Sequence, residues 1–177
     1  MPTETNFVPP SIDCGKWSDI EPLVKDLMDR EIDSPANLEQ WLLERSDLES
    51  YIYDLGSRSH VAMTCDTEDK DKSEAYRNFH QNIMPHVKKA SFELDKKYYN
   101  CPHRKGLDKD RYLVFDRAVS TDIEIFRDEN IALETELADL RQQHSKLTGA
   151  QTVEFDGKTR TLPEMAKYAE DPDGTVR

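Results

Sequence analysis

GAQTVEFDGKTRTLPEMAKYAEDPDGTVR, Gly149 to Arg177, is the one stretch whose periodicity departs from that of a helix. Val153 and Phe155 alternate with Thr152 and Glu154. Asp156-Gly157 then offers two residues suited to positive φ, as a type I′ turn requires. Lys158 to Leu162 returns as a second short strand, so the stretch predicts a hairpin. Thr161-Leu162-Pro163-Glu164 has the S/T-x-x-E form of a capping box, which would feed the returning strand into a helix through Met165, Ala166, Lys167 and Tyr168. Asp171-Pro172-Asp173 supplies a cap and a first-position proline for one more helix. That helix is announced and cut off at Arg177, so residues 1–177 read as the front part of something longer.

Upstream of this stretch the chain reads helical. Ser18-Asp19-Ile20-Glu21 has capping-box form, and Ile20, Leu23, Val24, Leu27 and Met28 make one apolar stripe, with Trp17 placed to staple onto it. Ser34 as N-cap and Pro35 at the first position restart the pattern. Leu38, Trp41, Leu42, Leu48, Tyr51, Ile52 and Leu55 carry it toward Cys65, and Gly56 marks a bend or the close passage of a neighbour. Tyr76, Phe79, Ile83, Val87, Ala90, Leu94 and Tyr98 repeat by threes and fours, with Pro85 predicted to kink the helix and Asn100-Cys101-Pro102 to end it.

Asp108 caps a further pattern through Tyr112, Phe115, Val119, Ile123 and Phe126. After a break at Asp128-Glu129-Asn130 a seam resumes at Leu133, Leu137, Leu140 and Leu147, with His144 in the remaining inward position. The expected fold is mainly α, an elongated bundle of long antiparallel helices with one small β-hairpin near the C-terminus. Its expected organisation is an extended arm over residues 1–16, a helical bundle over 17–148, and the hairpin, short helix and truncated helix start over 149–177 within the same domain.

Composition narrows the function. Charged residues are 34% of the 177, hydrophobic ones 36%, and Gly numbers only 6, which fits long solvated helices. A formal net charge of -12 repels phosphate backbones, so nucleic acid is not an expected partner. No apolar run approaches the roughly 20 residues of a membrane span. Three cysteines, Cys14, Cys65 and Cys101, at no repeating spacing, and the lack of an apolar leader point to a cytoplasmic protein.

No catalytic constellation is legible. His60, His80, His86, His103 and His144 are scattered and none stands in a His-Glu-x-x-His arrangement, which needs two imidazoles one turn apart with a carboxylate to activate water. His80 and His86, six residues apart, fall on opposite sides of a helix. Cys101-Pro102-His103 with Cys65 would lack a fourth metal ligand, and both cysteines read more simply as buried small hydrophobes. The mixed run Asp66 to Lys72 reads as a solvated loop and helix start. Lys96, Lys97, His103, Arg104 and Lys105 form the one basic patch, read as partners for carboxylates. Trp17, Trp41, Tyr98 and Tyr99 read as core aromatics before a ligand-lining group. Catalytic, cofactor and metal residues are therefore assigned to no position.

Several blocks in one order carry a resemblance. They are Leu27 to Pro35 (LMDREIDSP) with Leu38 to Leu43 (LEQWLL), Met63 to Asp69 (MTCDTED), and Thr152 to Gly157 (TVEFDG) leading to Leu162 to Lys167 (LPEMAK). Together they make the chain, over nearly all of Trp17 to Arg177, resemble the N-terminal region of the oligoendopeptidase F family of zinc metallopeptidases. The resemblance implies a helical part that walls one side of a deep channel. It places the zinc, its two His ligands, a further Glu ligand and the catalytic Glu in a later domain, and none of these falls on a position of this sequence.

The expected function is the substrate-enclosing N-terminal domain of a zinc-dependent oligopeptidase, inactive alone, with the catalytic domain of the same polypeptide as partner and short peptides as substrates of the full-length enzyme. The alternative is a non-catalytic helical scaffold or protein-interaction domain. Either one, isolated, would expose apolar surface and so could form a homodimer.

Overall fold

A computed structural model describes residues 7–10, 12, 15–170 and 172–174. Among them the helices are α1 (Trp17–Asp29), α2 (Pro35–Cys65), α3 (Lys70–Asn78), α4 (Met84–Asn100), α5 (Lys109–Ile125), α6 (Glu129–Gly149) and α7 (Leu162–Ala169), with a π turn at Phe79–Ile83 and a 3-10 turn at Pro102–Gly106. The two strands, β1 (Thr152–Phe155) and β2 (Lys158–Thr161), pair antiparallel with Thr152 opposite Thr161. The protein is thus mainly helical with one small hairpin, as the periodicities predict.

The start signals were read with mixed success. Ser34 caps α2, accepting from the Asn37 amide at 3.2 Å, and Asp108 caps α5 through the amides of Asp110 and Arg111. Thr161 and Glu164 close the predicted capping box of α7. Ser18 is not a cap. Helix α1 begins one residue earlier with Lys16 at the N-cap, and Ser18 hydrogen-bonds Asp19 instead. Trp17 therefore sits inside the first turn, where its ring stacks on His86 at 5.0 Å. At the other end, residues 172–174 form a bend and a turn, while Asp171 and residues 175–177, on which the further helix was expected, lie outside the described residues. Pro2 and the rest of residues 1–6 also lie outside, whereas Val8 is buried and Phe7 packs beside it.

One core runs through α1, α2, the π turn, α4 and α5. Ile20, Leu27, Leu38, Trp41, Leu48, Phe79, Ile83, Val87, Leu94, Tyr98 and Val119 belong to it. Helix α4 stands at its centre, touching α1, α5 and α6. Gly56 is a close approach: a Cβ there would lie 2.5 Å from Cε1 of Phe79. Pro85 does not simply kink one long helix. The Met84 amide reaches back five residues to the Phe79 carbonyl, and this wider turn makes room for a ring that carries no N–H and would strike the carbonyl four residues back.

Helix α6 reverses the predicted facing. Ile131, Ala138 and Gln142 are buried, with Thr135 and Ser145 half-buried between them. Leu133, Leu137, Leu140 and Leu147 face outward at 61%, 42%, 53% and 71% exposure, and His144 is exposed in line with them. The neighbouring surface explains the choice. Gln142 donates to the Ser73 carbonyl at 2.9 Å, Gln81 donates to Asp139 at 2.9 Å, and Lys88 and Lys89 pair with Glu134 and Asp128. The bundle offers α6 polar partners, so its small and polar residues turn inward.

The hairpin turn has Asp156 at φ 53° and Gly157 at φ 66°, the left-handed pair that the sequence demands. Phe155 packs on Tyr168 of α7 at 4.7 Å, so the returning helix covers one face of the hairpin.

Candidate functional site

Tyr76 lies between two imidazoles, 5.7 Å from His60 and 4.4 Å from His80, and His80 meets Phe79 edge-on at 5.4 Å. Burial, Lys88 and His60 together hold His80 below the usual imidazole range. His86 stacks on Trp17, on the other side of the helix, as the six-residue spacing predicts. Histidine spacing alone thus missed the His60–Tyr76–His80 stack, because His60 comes from α2 and the others from the α3 region.

Cys101 is half-buried beside the core at the end of α4. Cys65 is exposed, which corrects the expectation that it is buried. Met63 turns inward, and a residue two positions on a helix lies about 200° away. Cys14 lies outside the described residues.

In the basic patch, Lys96 pairs with Glu93 at 2.6 Å and Arg104 with Asp116 at 3.2 Å, while Arg104 also lies 4.1 Å over the Tyr99 ring. Lys97 differs from the expectation: its partners are carbonyls. Nζ donates to the carbonyls of Leu27 at 2.9 Å, Met28 at 2.7 Å and Arg30 at 2.5 Å. Those oxygens end α1 without helical partners, and a cation at that end also complements the helix dipole. In the mixed run, Asp69 caps α3 and Lys72 bridges Asp66 and Asp69, each at 3.2 Å.

The aromatic group divides. Trp41 and Tyr98 are core. Trp41 Nε1 donates to the Leu27 carbonyl at 2.9 Å, and the Tyr98 hydroxyl donates to Asp116 at 3.2 Å. Burial first and Asp116 second push the Tyr98 phenol up, out of the range in which it could exchange a proton near neutrality. Tyr99 is exposed beneath Arg104, and Trp17 is half-buried on His86.

One buried charge was not foreseen. Arg45 of α2 is 6% exposed, held by Asp95 of α4 at 2.7 Å and Glu49 at 2.8 Å. Its Nη1 is buried without a partner. Burial opposes the Arg45 charge, but Glu49 and Asp95 more than offset it, so its pKa rises; burial pushes Asp95 up against the pull of Arg45. The signal was present, since Arg45 stands three and four residues from Trp41, Leu42 and Leu48 on the buried stripe.

A cavity of about 550 Å³ lies between α3, the π turn and α6, lined by Arg77, Asn78, Gln81, Gln142 and Lys146 among others, with neither histidine nor cysteine in its wall. Three of its amides are engaged: Asn78 on the Gly15 carbonyl, Gln81 on Asp139, Gln142 on Ser73. This is a polar groove without a nucleophile–base pair on its lining. Among the described residues no three of His, Cys, Asp and Glu come together in a group that could hold a metal ion, so they do not fit a zinc centre. No described helix is long and apolar enough to cross a membrane.

Searches of curated proteins and of solved structures found no match. The family model for the peptidase M3 N-terminal domain matches residues 15–126, from the residues just before α1 to the residue that ends α5. With most of the chain and every helix of the core inside that match, the chain belongs to the peptidase M3 N-terminal domain family.

Proposed function

We propose that this protein is the substrate-enclosing N-terminal part of a zinc-dependent oligopeptidase of the oligoendopeptidase F type. It would act as a helical wall beside a catalytic part of the same enzyme that supplies zinc and the water-activating carboxylate. The match over residues 15–126 carries the reading. The wall restricts access by bulk, so that only short, flexible peptides reach the bond to be cut, and it donates no catalytic residue. Its helices α1, α2, α4 and α5 share one continuous core.

The test is reconstitution. Residues 1–177 alone should neither hydrolyse internally quenched peptides nor retain stoichiometric zinc after dialysis. Produced together with any sequence that follows Arg177 in its gene, they should give hydrolysis of short peptides that a chelator abolishes and zinc restores. Turnover by residues 1–177 alone, or a chelator-insensitive activity, would overturn the proposal. A second reading, a non-catalytic interaction domain, rests on the outward leucines of α6. An open frame downstream containing His-Glu-x-x-His would decide against it.

A further inference from the structure

The outward face of α6 has a register. Leu133, Leu137, Leu140, His144 and Leu147 follow one another by 4, 3, 4 and 3 residues, the alternation of a and d positions in a heptad. The second seam of the same helix, Ile131, Thr135, Ala138, Gln142 and Ser145, has the same spacing and packs on the bundle. The helix therefore carries two seams, and among the described residues the leucines of the more apolar one remain 42% to 71% exposed. It lies beyond the part matched to the family domain, which ends at residue 126.

Charge says what fits there. The N-terminal half of α6 carries Glu129, Glu134, Glu136 and Asp139, and the C-terminal half carries Arg141 and Lys146. With the leucines at d and a, Glu134 and Arg141 take the flanking e positions. In an antiparallel pair of identical helices, e faces e: when Leu137 packs on Leu140 of the second copy, Glu134, which also pairs with Lys88 of its own chain, comes beside Arg141 of that copy, and the reciprocal pair forms by symmetry. A parallel pair would set Glu136 beside Arg141, but it would also set Glu129 against Glu134 and bring both acidic halves together. Antiparallel packing also opposes the two helix dipoles.

We infer that the Leu133–Leu147 face of α6 is a self-association surface, on which two copies of this chain pair antiparallel about the Leu137–Leu140 layer. His144 of one copy then falls opposite Leu133 of the other, a polar insertion in the seam that penalises other registers. Because α6 is already folded against its own bundle, pairing does not meet the cost of helix nucleation that isolated short coiled coils meet.

Sedimentation equilibrium of the 177-residue chain tests this. The mass should rise from 20.5 kDa toward twice that value as concentration reaches the high micromolar range. Leu137→Ser with Leu140→Ser should keep the chain monomeric while its circular dichroism and thermal midpoint stay near those of the parent monomer, since both side chains are solvent-exposed. Glu134→Arg or Arg141→Glu alone should weaken the dimer about tenfold, two attractive contacts becoming repulsive. The two together should restore it. A chain that stays monomeric throughout, a dimer indifferent to the leucine changes, or a double charge swap that fails to restore association would each overturn the inference. The last outcome would mark a parallel or heterologous contact.

Discussion

At the residue scale, Arg45 is a charged side chain held inside the bundle at 6% exposure. Removing Asp95 alone, as Asp95→Ala, leaves a guanidinium inside the bundle with Glu49 as its one remaining carboxylate, and is expected to cost about 3 kcal/mol by urea denaturation. Arg45→Met with Asp95→Leu should recover most of that loss, because desolvation of both charges disappears with them. His80 gives a pH signature. Its folded pKa is depressed below the unfolded 6.5, so the folded state binds fewer protons. Its contribution is present above 6.5 and is lost as the pH falls through 6.5 toward the depressed value. His80→Gln should flatten the decline in stability across that window, measured by chemical denaturation at a series of pH values. Arg45 shows where sequence reading stopped short. Its place on the stripe of Leu38, Trp41, Leu42 and Leu48 was visible, but its partner Asp95 lies on another helix, and nothing local to either residue names the other.

At the scale of elements, α1 is fastened by a side chain from α4. Lys97→Met removes three charge-assisted bonds and leaves the Met28 and Arg30 carbonyls without that donor, with an expected loss of about 1–3 kcal/mol in thermal or urea unfolding. Gly56→Ala should also destabilise, by about 1–3 kcal/mol, although alanine is the better helix former, because its methyl group enters the Phe79 ring. Phe79→Leu in the Gly56→Ala background should return part of it. The ends of elements were legible wherever the signal was a side chain acting on its own backbone: Ser34, Asp108, Asp156-Gly157, and Thr161 with Glu164. Ser18 failed because nothing in a capping-box pattern says whether the chain has already turned helical one residue earlier, as Trp17 does when it stacks on His86. The facing of α6 failed for another reason. It carries two seams of equal spacing, and the choice between them was made by the polar surface of α3 and α4 rather than by α6 itself.

Across the whole molecule, cohesion is uneven. The core of α1, α2, α4 and α5 is apolar and continuous, whereas α6 is joined to the bundle by Ile131, Ala138 and a set of amide and ion-pair contacts. Amide hydrogen exchange is expected to be faster in α6 than in the buried turns of α2 and α4. Covering the outward leucines should slow it, which makes exchange at high and low protein concentration a readout independent of mass. The candidate site was legible only in part: His60 and His80, far apart in the sequence, meet around Tyr76, which no local spacing announces, and the family match rests on helical blocks rather than on a chemical motif.

The turn at Phe79–Ile83 bears on how this chain could have changed length. A turn that closes over five residues in place of four holds one surplus position, so shortening the chain by one residue there need not shift everything downstream out of phase. Pro85 blocks that route, because its ring would meet the carbonyl that an ordinary helical turn presents. Excising Gln81 should therefore be damaging by itself and much better tolerated once Pro85→Ala has removed the obstruction, making the proline the latch on an otherwise reversible insertion.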